Sequence, residues 1–123
     1  MSDKKPKKKF SVRLKTYEFD VEKLDGSVAE YKLRELTGDG RDMYLNMEKA
    51  MTAATKDGGR EIKDYTNVCA NLLSLCAYDE NDKIVTPDVI QTWPAAMQME
   101  LFLEAKKLSG LDAVQAKAEA KNE

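Results

Sequence analysis

The sequence predicts an α+β fold in which an N-terminal antiparallel β-hairpin or small sheet packs against a bundle of three to four helices. Between Phe10 and Leu36 the apolar residues recur with a period of two, which is typical of half-buried strands. Beyond Leu36 the apolar period becomes helical, and Gly- or Pro-containing turns separate the segments. At 123 residues the chain has room for one domain.

Composition divides the chain into three segments. Residues 1–9, MSDKKPKKK, hold five lysines and a proline, which predicts a disordered basic arm. Residues 10–111 form the predicted α+β domain. Residues 112–123, DAVQAKAEAKNE, are rich in alanine and charge but have no apolar stripe, so we expect a flexible or frayed helical tail.

Two apolar alternations open the domain. The first runs from Phe10 to Leu14 and the second from Tyr17 to Val21. Their phase slips by one residue at Lys15–Thr16, which indicates a turn or a bulge there. The sequence leaves open whether the first strand pairs within the chain or across a subunit boundary.

The dipeptide Asp25-Gly26 marks the turn of the predicted hairpin. A two-residue loop would place Val21 opposite Glu30, an apolar residue opposite a charged one. We therefore expect a three-residue loop from Asp25 to Ser27, which also gives favourable charge pairs. The expected cross-strand pairs are Val21–Tyr31, Phe19–Leu33, Asp20–Lys32 and Glu18–Arg34.

Two long helices are expected in the middle of the chain. The first covers about residues 41–56, has Thr37 or Asp39 as its N-cap, and ends at the Asp57-Gly58-Gly59 stop signal. The second covers about residues 60–78 and carries the widest apolar stripe. We expect it to be the central helix of the fold.

The C-terminal part predicts a short extended piece and two more helices. Ile84-Val85 follows a polar turn, and Thr86-Pro87-Asp88 begins a short helix with a cap, a proline and an acid in the favoured order. Pro94 opens the last helix, which runs to about Ser109. Gly110 is the expected C′ residue, with Leu111 as the apolar residue after it.

Residue types exclude most catalytic chemistry. The chain contains no histidine, the commonest general base and metal ligand. Cys69 and Cys76 lie seven residues apart, about 10 Å on a helix, which is too far for a disulfide, and we expect two buried thiols. The Asp79–Lys83 turn lacks the spacing of an EF-hand loop, and no phosphate-binding motif is present. We expect no catalytic, cofactor or metal site.

The charge layout bears on compartment and partners. No apolar run approaches the roughly 20 residues that span a bilayer, and no apolar segment follows the N-terminal lysines. We therefore expect a soluble cytoplasmic protein with no membrane partner. A basic arm on an acidic body disfavours a nucleic-acid binder, although a small regulator that uses the arm is an alternative.

The candidate partner-binding residues are methionine and aromatic residues on the first and last helices, together with Trp93 at a helix junction. Methionine-rich surfaces adapt to apolar partners, and tryptophan is enriched at interface hot spots. The structural alternative is that the methionines fill the core and that Trp93 holds the short helix against the last one. The candidates are Tyr44, Met47, Met51, Trp93, Met97, Met99 and Phe102.

The order of these motifs resembles the tail assembly chaperones of long-tailed bacteriophages and prophages. The hairpin leads into the capped segment LRELTGDGRDMY, Leu33 to Tyr44. A leucine-rich helix then ends in an acidic turn, followed by TPDVIQTWPAA, Thr86 to Ala96, an apolar helix, and Leu108 to Leu111. The resemblance covers roughly residues 28–111, whereas the N-terminal arm belongs to no pattern of the family.

The resemblance implies a non-enzymatic helper that holds the long tape-measure protein soluble while tail tube protein polymerises around it, in the bacterial host cytoplasm. Such chaperones often self-associate, and many are also made as a longer frameshifted product. The alanine-rich end at Lys117 to Glu123 suits the short product. A structural component of the virion tail is an alternative function.

Overall fold

The computed structural model describes residues 7–111 and confirms the predicted α+β class. The predicted tail at 112–123 and the first six residues of the predicted arm lie outside the described residues. The elements are β1 (Thr16–Glu22), β2 (Val28–Arg34), α1 (Gly38–Met51), β3 (Thr52–Ala54), β4 (Arg60–Ile62), α2 (Ala70–Cys76), β5 (Ala77–Asp79), α3 (Pro87–Ile90) and α4 (Ala95–Leu108).

The main sheet is antiparallel, with the strand order β1-β2-β5. Its central strand, β2, contributes the fully buried Leu33 to the core. On the same face, Trp93 packs edge-on against Tyr31 and Phe19, with ring centroids 5.5 and 6.2 Å away. This aromatic cluster joins the sheet to the segment between α3 and α4.

The register of the first hairpin corrects the predicted one. Phe19 pairs with Tyr31 and Val21 with Ala29, so the predicted cross-strand pairs, including both charge pairs, are wrong. The loop has three residues as expected, but it spans Leu24 to Gly26. Gly26 has φ +86° and occupies the third loop position, which requires a left-handed backbone.

Residues Phe10–Leu14, for which the sequence predicts a strand but not its partner, form no strand with any part of residues 7–111. The side chain of Phe10 is 80% exposed and that of Val12 is fully exposed, at 101%. Pairing to β2 begins at Lys15, whose carbonyl accepts a hydrogen bond of 2.8 Å from the Glu35 amide. The alternation in this segment therefore has no partner strand among residues 7–111.

The first helix has one of the two predicted N-caps, but it begins at Gly38, before the predicted start near residue 41, and it ends early. Thr37 is the N-cap, and its Oγ1 accepts a hydrogen bond of 3.3 Å from the Gly40 amide. The helix stops at Met51, and β3 and β4 form a second antiparallel hairpin in place of the predicted helix end. Its loop contains Asp57-Gly58, the dipeptide that turns the first hairpin, with Gly58 at φ +86°.

The predicted helix over 60–78 is wrong over its first ten residues. Arg60 to Ile62 belong to β4, and the Asp64 carboxylate accepts a hydrogen bond of 2.8 Å from the Thr66 amide in a local turn. Asn67 has φ +57°, a left-handed conformation that interrupts a helix. Helical structure begins only at Ala70.

Helix α2 is short but central, as predicted. Leu72, Leu73 and Cys76 are fully buried, and α2 packs against α1, α3, α4 and β2. Cys69 and Cys76 are both buried free thiols, as expected. Because α2 packs against four other elements, none of its seven residues is exposed.

The C-terminal helices follow the predicted end signals. Pro87 occupies the first turn of α3, and α4 begins directly after Pro94. Gly110 has φ +68° and lies just past the Ser109 C-cap, which allows Leu111 to turn back into the core.

The turn after β5 is a third loop with a left-handed residue, like the loops at Gly26 and Gly58. In the turn from Asp79 to Lys83, Asp82 takes the left-handed position at φ +60°. Its carboxylate forms an ion pair with Lys32 on β2 and lies 3.4 Å from the Arg34 guanidinium. The Arg34 guanidinium stacks over Tyr78, 4.2 Å from the ring centroid. These contacts fasten the turn over the exposed face of β2.

We predict that Leu72→Ala lowers the free energy of unfolding by about 2–5 kcal/mol, because it leaves a cavity at the centre of the core. Urea denaturation followed by circular dichroism measures the loss. Leu24→Ala, at a fully exposed loop position, is the control and should change stability by less than about 0.5 kcal/mol. Equal losses in the two variants would contradict the central position of α2.

The Asp82–Lys32 pair predicts a titration effect. The Lys32 ammonium, through its hydrogen bond and charge, holds the pKa of the Asp82 carboxyl below its ordinary value of 3.8. Because the folded pKa is the lower one, the pair stabilises the fold above the unfolded pKa, and its contribution is lost as pH falls through the folded pKa. Lys32→Met should raise the Asp82 pKa in a carbon-detected NMR titration, whereas Lys49→Met, on α1, should leave it unchanged.

Candidate functional site

An apolar groove of about 590 Å³ lies between α1, the β3–β4 hairpin and α4. Its size falls within the roughly 300–1,000 Å³ of typical binding sites. The lining residues are Tyr44, Leu45, Glu48, Met51, Thr52, Gly58, Gly59, Arg60, Ile62, Tyr65, Val68, Cys69, Met99, Phe102, Lys106 and Leu111. We call this feature the α1–α4 groove.

Helix α1 supplies one wall of the α1–α4 groove. Tyr44, Glu48 and Met51 recur at helical spacing and so share one face of the helix. The Tyr44 hydroxyl donates a hydrogen bond of 2.9 Å to Glu48 Oε2, so the buried ring keeps its polar end satisfied at the groove edge. The Asn71 amide donates to Met51 Sδ at 3.2 Å, which holds this side chain in the floor.

Helix α4 supplies the opposite wall with the same periodicity. Met99, Phe102 and Lys106 form one stripe along α4. The Lys106 ammonium lies 5.4 Å from the centroid of the Phe102 ring, which places a positive charge beside an apolar surface. This wall therefore offers apolar contact along its length and a cation at its C-terminal end.

The β3–β4 hairpin forms the third wall and is tied to the end of α1 by Arg60. The Arg60 guanidinium donates hydrogen bonds to Thr52 Oγ1 at 2.8 Å and to the Lys49 carbonyl at 3.4 Å. Beyond it, Ile62 is 40% exposed and Tyr65 is 69% exposed. Two large apolar side chains thus stand at the mouth of the α1–α4 groove, where a bound molecule would cover them.

The structure brings together four of the seven candidate residues. Tyr44 and Met51 line the α1–α4 groove from α1, and Met99 and Phe102 line it from α4. Met47 and Met97 are half-buried and lie outside the groove lining.

Trp93 lies elsewhere, in the aromatic cluster under the sheet. Its side chain is 9% exposed, and its carbonyl accepts a hydrogen bond of 2.9 Å from the buried Gln98 amide. Its amide donates a hydrogen bond of 2.9 Å to the Ile90 carbonyl of α3, so Trp93 links the short helix to the last one, as in the structural alternative, and it also packs against the sheet. These contacts leave little of the ring for a partner.

The sequence interpretation missed Ile62 and Tyr65 as groove residues, because it placed both on the buried stripe of a long helix. The signal that locates them is Asp57-Gly58, which repeats the hairpin dipeptide Asp25-Gly26. Interpreted as a hairpin turn, that dipeptide predicts a strand at Ile62 and an exposed position for the residues after it.

The α1–α4 groove is lined mainly by apolar side chains and includes the thiol of Cys69. Burial raises the pKa of the Cys69 thiol, so this side chain is protonated and a poor nucleophile at neutral pH. Within residues 7–111, no group of three or more His, Cys, Asp or Glu side chains is arranged to hold a metal ion. No helix in the described part of the chain has the length and hydropathy to cross a membrane.

The two thiols should differ in their reaction with an alkylating reagent. Burial raises the pKa of Cys76 to about 12, and this side chain lies in the core, whereas Cys69 lines the α1–α4 groove. We therefore expect iodoacetamide at pH 8 to label Cys69 first, slowly, and Cys76 only on unfolding. Peptide mass spectrometry assigns the labelled residue, and Cys69→Ser is the control. Faster labelling of Cys76 than of Cys69 would contradict this placement.

Comparison with known proteins adds no relative from which a function could be transferred. No protein-family model, curated protein or solved structure matches this chain.

Proposed function

We propose that this chain is a tail assembly chaperone of a long-tailed bacteriophage or prophage, acting without catalysis in the host cytoplasm. Its client is the tape-measure protein, which it keeps soluble while tail tube protein assembles around it. The motif order from Leu33 to Leu111 supports the family. The α1–α4 groove supports a mode of client binding.

The observation that carries the proposal is an apolar groove with methionine in both helical walls. Met51 lies in the floor from α1, and Met99 stands on α4 with 47% of its surface exposed. Methionine is unbranched and polarizable, so it fits differently shaped apolar side chains at small cost. A chaperone that meets many segments of one long client benefits from such adaptability.

The shape of the groove favours an amphipathic helix as the bound segment. Its two long walls are helices of 14 residues each, and the apolar lining continues from the floor to Tyr65 at the mouth. Helices bind such grooves through side chains at positions i, i+3, i+4 and i+7. Glu48 at one wall and Lys106 at the other supply opposite charges that can orient the client helix.

Co-expression with the tape-measure protein encoded in the same genome tests the proposal. The wild-type chain should move the client into the soluble fraction and co-purify with it. Met99→Glu places a charge in the groove and should reduce the recovered client by about tenfold or more, because a buried unpaired charge costs several kcal/mol.

Leu103→Glu is the matched control, because Leu103 is also on α4, is 56% exposed and lies outside the groove lining. It should leave client recovery unchanged, and the melting temperatures of both variants verify their folding. An insoluble client with the wild-type chain would refute the chaperone. The presence of the chain in purified virions would identify a tail component instead.

A further inference from the structure

The outer edge of β1 has no partner strand among residues 7–111. β1 is the terminal strand of the sheet and pairs only with β2 among residues 7–111. An open edge of seven residues presents backbone donors and acceptors that another strand can pair with. The side chains of β1 determine what kind of strand can pair with this edge.

The hydrogen-bond pattern identifies the open backbone groups. The Lys23 amide donates to the Ser27 carbonyl, and the Glu35 amide donates to the Lys15 carbonyl. Odd-numbered residues of β1 therefore bond to β2. The amides and carbonyls of the even-numbered residues face outward from the sheet. They belong to Thr16, Glu18, Asp20 and Glu22.

The side chains of β1 divide between two faces. Tyr17, Phe19 and Val21 lie on the face that packs against Trp93 and the core. The other face carries three exposed carboxylates, those of Glu18, Asp20 and Glu22. A strand that extends this sheet must therefore be apolar on one face and basic on the other.

Residues 9–14 of the chain itself have this pattern. Apolar residues occupy positions 10, 12 and 14, and Lys9, Ser11 and Arg13 alternate with them. The segment belongs to no helix or strand, bends at Arg13, and has its first two apolar side chains in solvent. Within residues 7–111, no element covers Phe10 or Val12, whereas pairing with another strand would give this apolar face a partner.

One antiparallel register satisfies both faces together. It places Leu14 opposite Tyr17, Val12 opposite Phe19 and Phe10 opposite Val21 of a second copy. On the acidic face it places Arg13 opposite Glu18 and Lys9 opposite Glu22. Exchanging the two copies gives the same residue pairs, so both arms can pair at once about a two-fold axis. The apolar alternation slips by one residue at Lys15–Thr16, which lies at the centre of this strand pair. A β-bulge there accommodates the slip.

A copy cannot form these pairs with its own arm. Lys15 is held by Glu35, through the main-chain bond and a hydrogen bond of 2.8 Å from its amide to Glu35 Oε1. Within one chain, the same pairs would require a two-residue turn at Lys15-Thr16, between Leu14 and Tyr17. Thr16 is already paired with Arg34 in the sheet, and tight hairpin turns need Gly, Asn or Asp at left-handed positions, which Lys15 and Thr16 do not supply.

We propose that two copies of this chain exchange their N-terminal arms, residues 9–14 of each copy adding a strand to the open edge of β1 in the other. The two three-stranded sheets then join into one continuous sheet that contains all six strands. The two arm strands lie at the join, each paired with β1 of the other copy. The inference does not depend on the function of the α1–α4 groove, which lies on other elements.

Charge reversal with mixing tests this register. Arg13→Glu and Glu18→Arg should each weaken the dimer by about tenfold or more, because each sets like charges opposite one another twice per dimer. An equimolar mixture of the two single variants should restore wild-type association, because each arm then meets its opposite charge. Sedimentation velocity over a concentration series measures the dissociation constants.

The double variant Arg13→Glu/Glu18→Arg should also dimerise as the wild type does. Its matched control is Arg13→Glu/Glu30→Arg, which has the same net charge but places the new arginine on β2, away from the open edge. This control should remain as weak as Arg13→Glu alone. Circular dichroism verifies that each variant folds.

Three results would overturn the proposal. The first is a wild-type chain that stays monomeric at all concentrations, in which case the carboxylates of β1 only protect its edge from aggregation. The second is a dimer that Arg13→Glu leaves intact, which would place the contact elsewhere. The third is a mixture of the single variants that associates no better than either alone.

Discussion

The fold depends on the burial of helix α2, which places Leu72, Leu73 and Cys76 in the core. Seven residues are too few for a helix to be stable alone in water, so α2 exists only because its neighbours cover it. Those neighbours are α1, α3, α4 and β2, and each is positioned by contact with α2. The sheet and the helical layers are thus held in one arrangement by a single central contact.

The position of the α1–α4 groove follows from the length of α2. A longer central helix, beginning near residue 60, would occupy the space between α1 and α4 and close it. Instead, Asn67 interrupts the helix and the chain between Met51 and Ala70 forms a thin hairpin and turns. The apolar residues of that segment are left along an open surface, where Val68 and Cys69 complete the floor.

Patterns of local chemistry predicted the fold class and the N-terminal ends of three helices. Caps and prolines located the start of α1, α3 and α4, because these residues act on the backbone beside them. The hairpin register needed one detail more, that Gly26 takes the last loop position. The predicted loop runs from Asp25 to Ser27 and the observed loop begins and ends one residue earlier. The left-handed backbone of Gly26 selects the observed loop.

The segment from residue 52 to residue 69 could not be predicted from apolar spacing. Ile62, Tyr65, Val68 and Leu72 match a helical stripe as well as they match a hairpin followed by a turn and a helix. Tertiary contacts decided the outcome, since Arg60 binds the end of α1 and draws the chain into a strand. Of the residues that line the α1–α4 groove, the sequence therefore predicted only residues on α1 and α4.

The hairpin of β3 and β4 gives the groove one compliant wall. An isolated two-stranded hairpin is marginally stable in water, and β4 is exposed along its whole length. Its local opening free energy is therefore far below that of the core, whereas α1 and α4 are anchored by buried side chains. The two helical walls fix the direction of the α1–α4 groove. The hairpin is the wall that a wider bound molecule would displace.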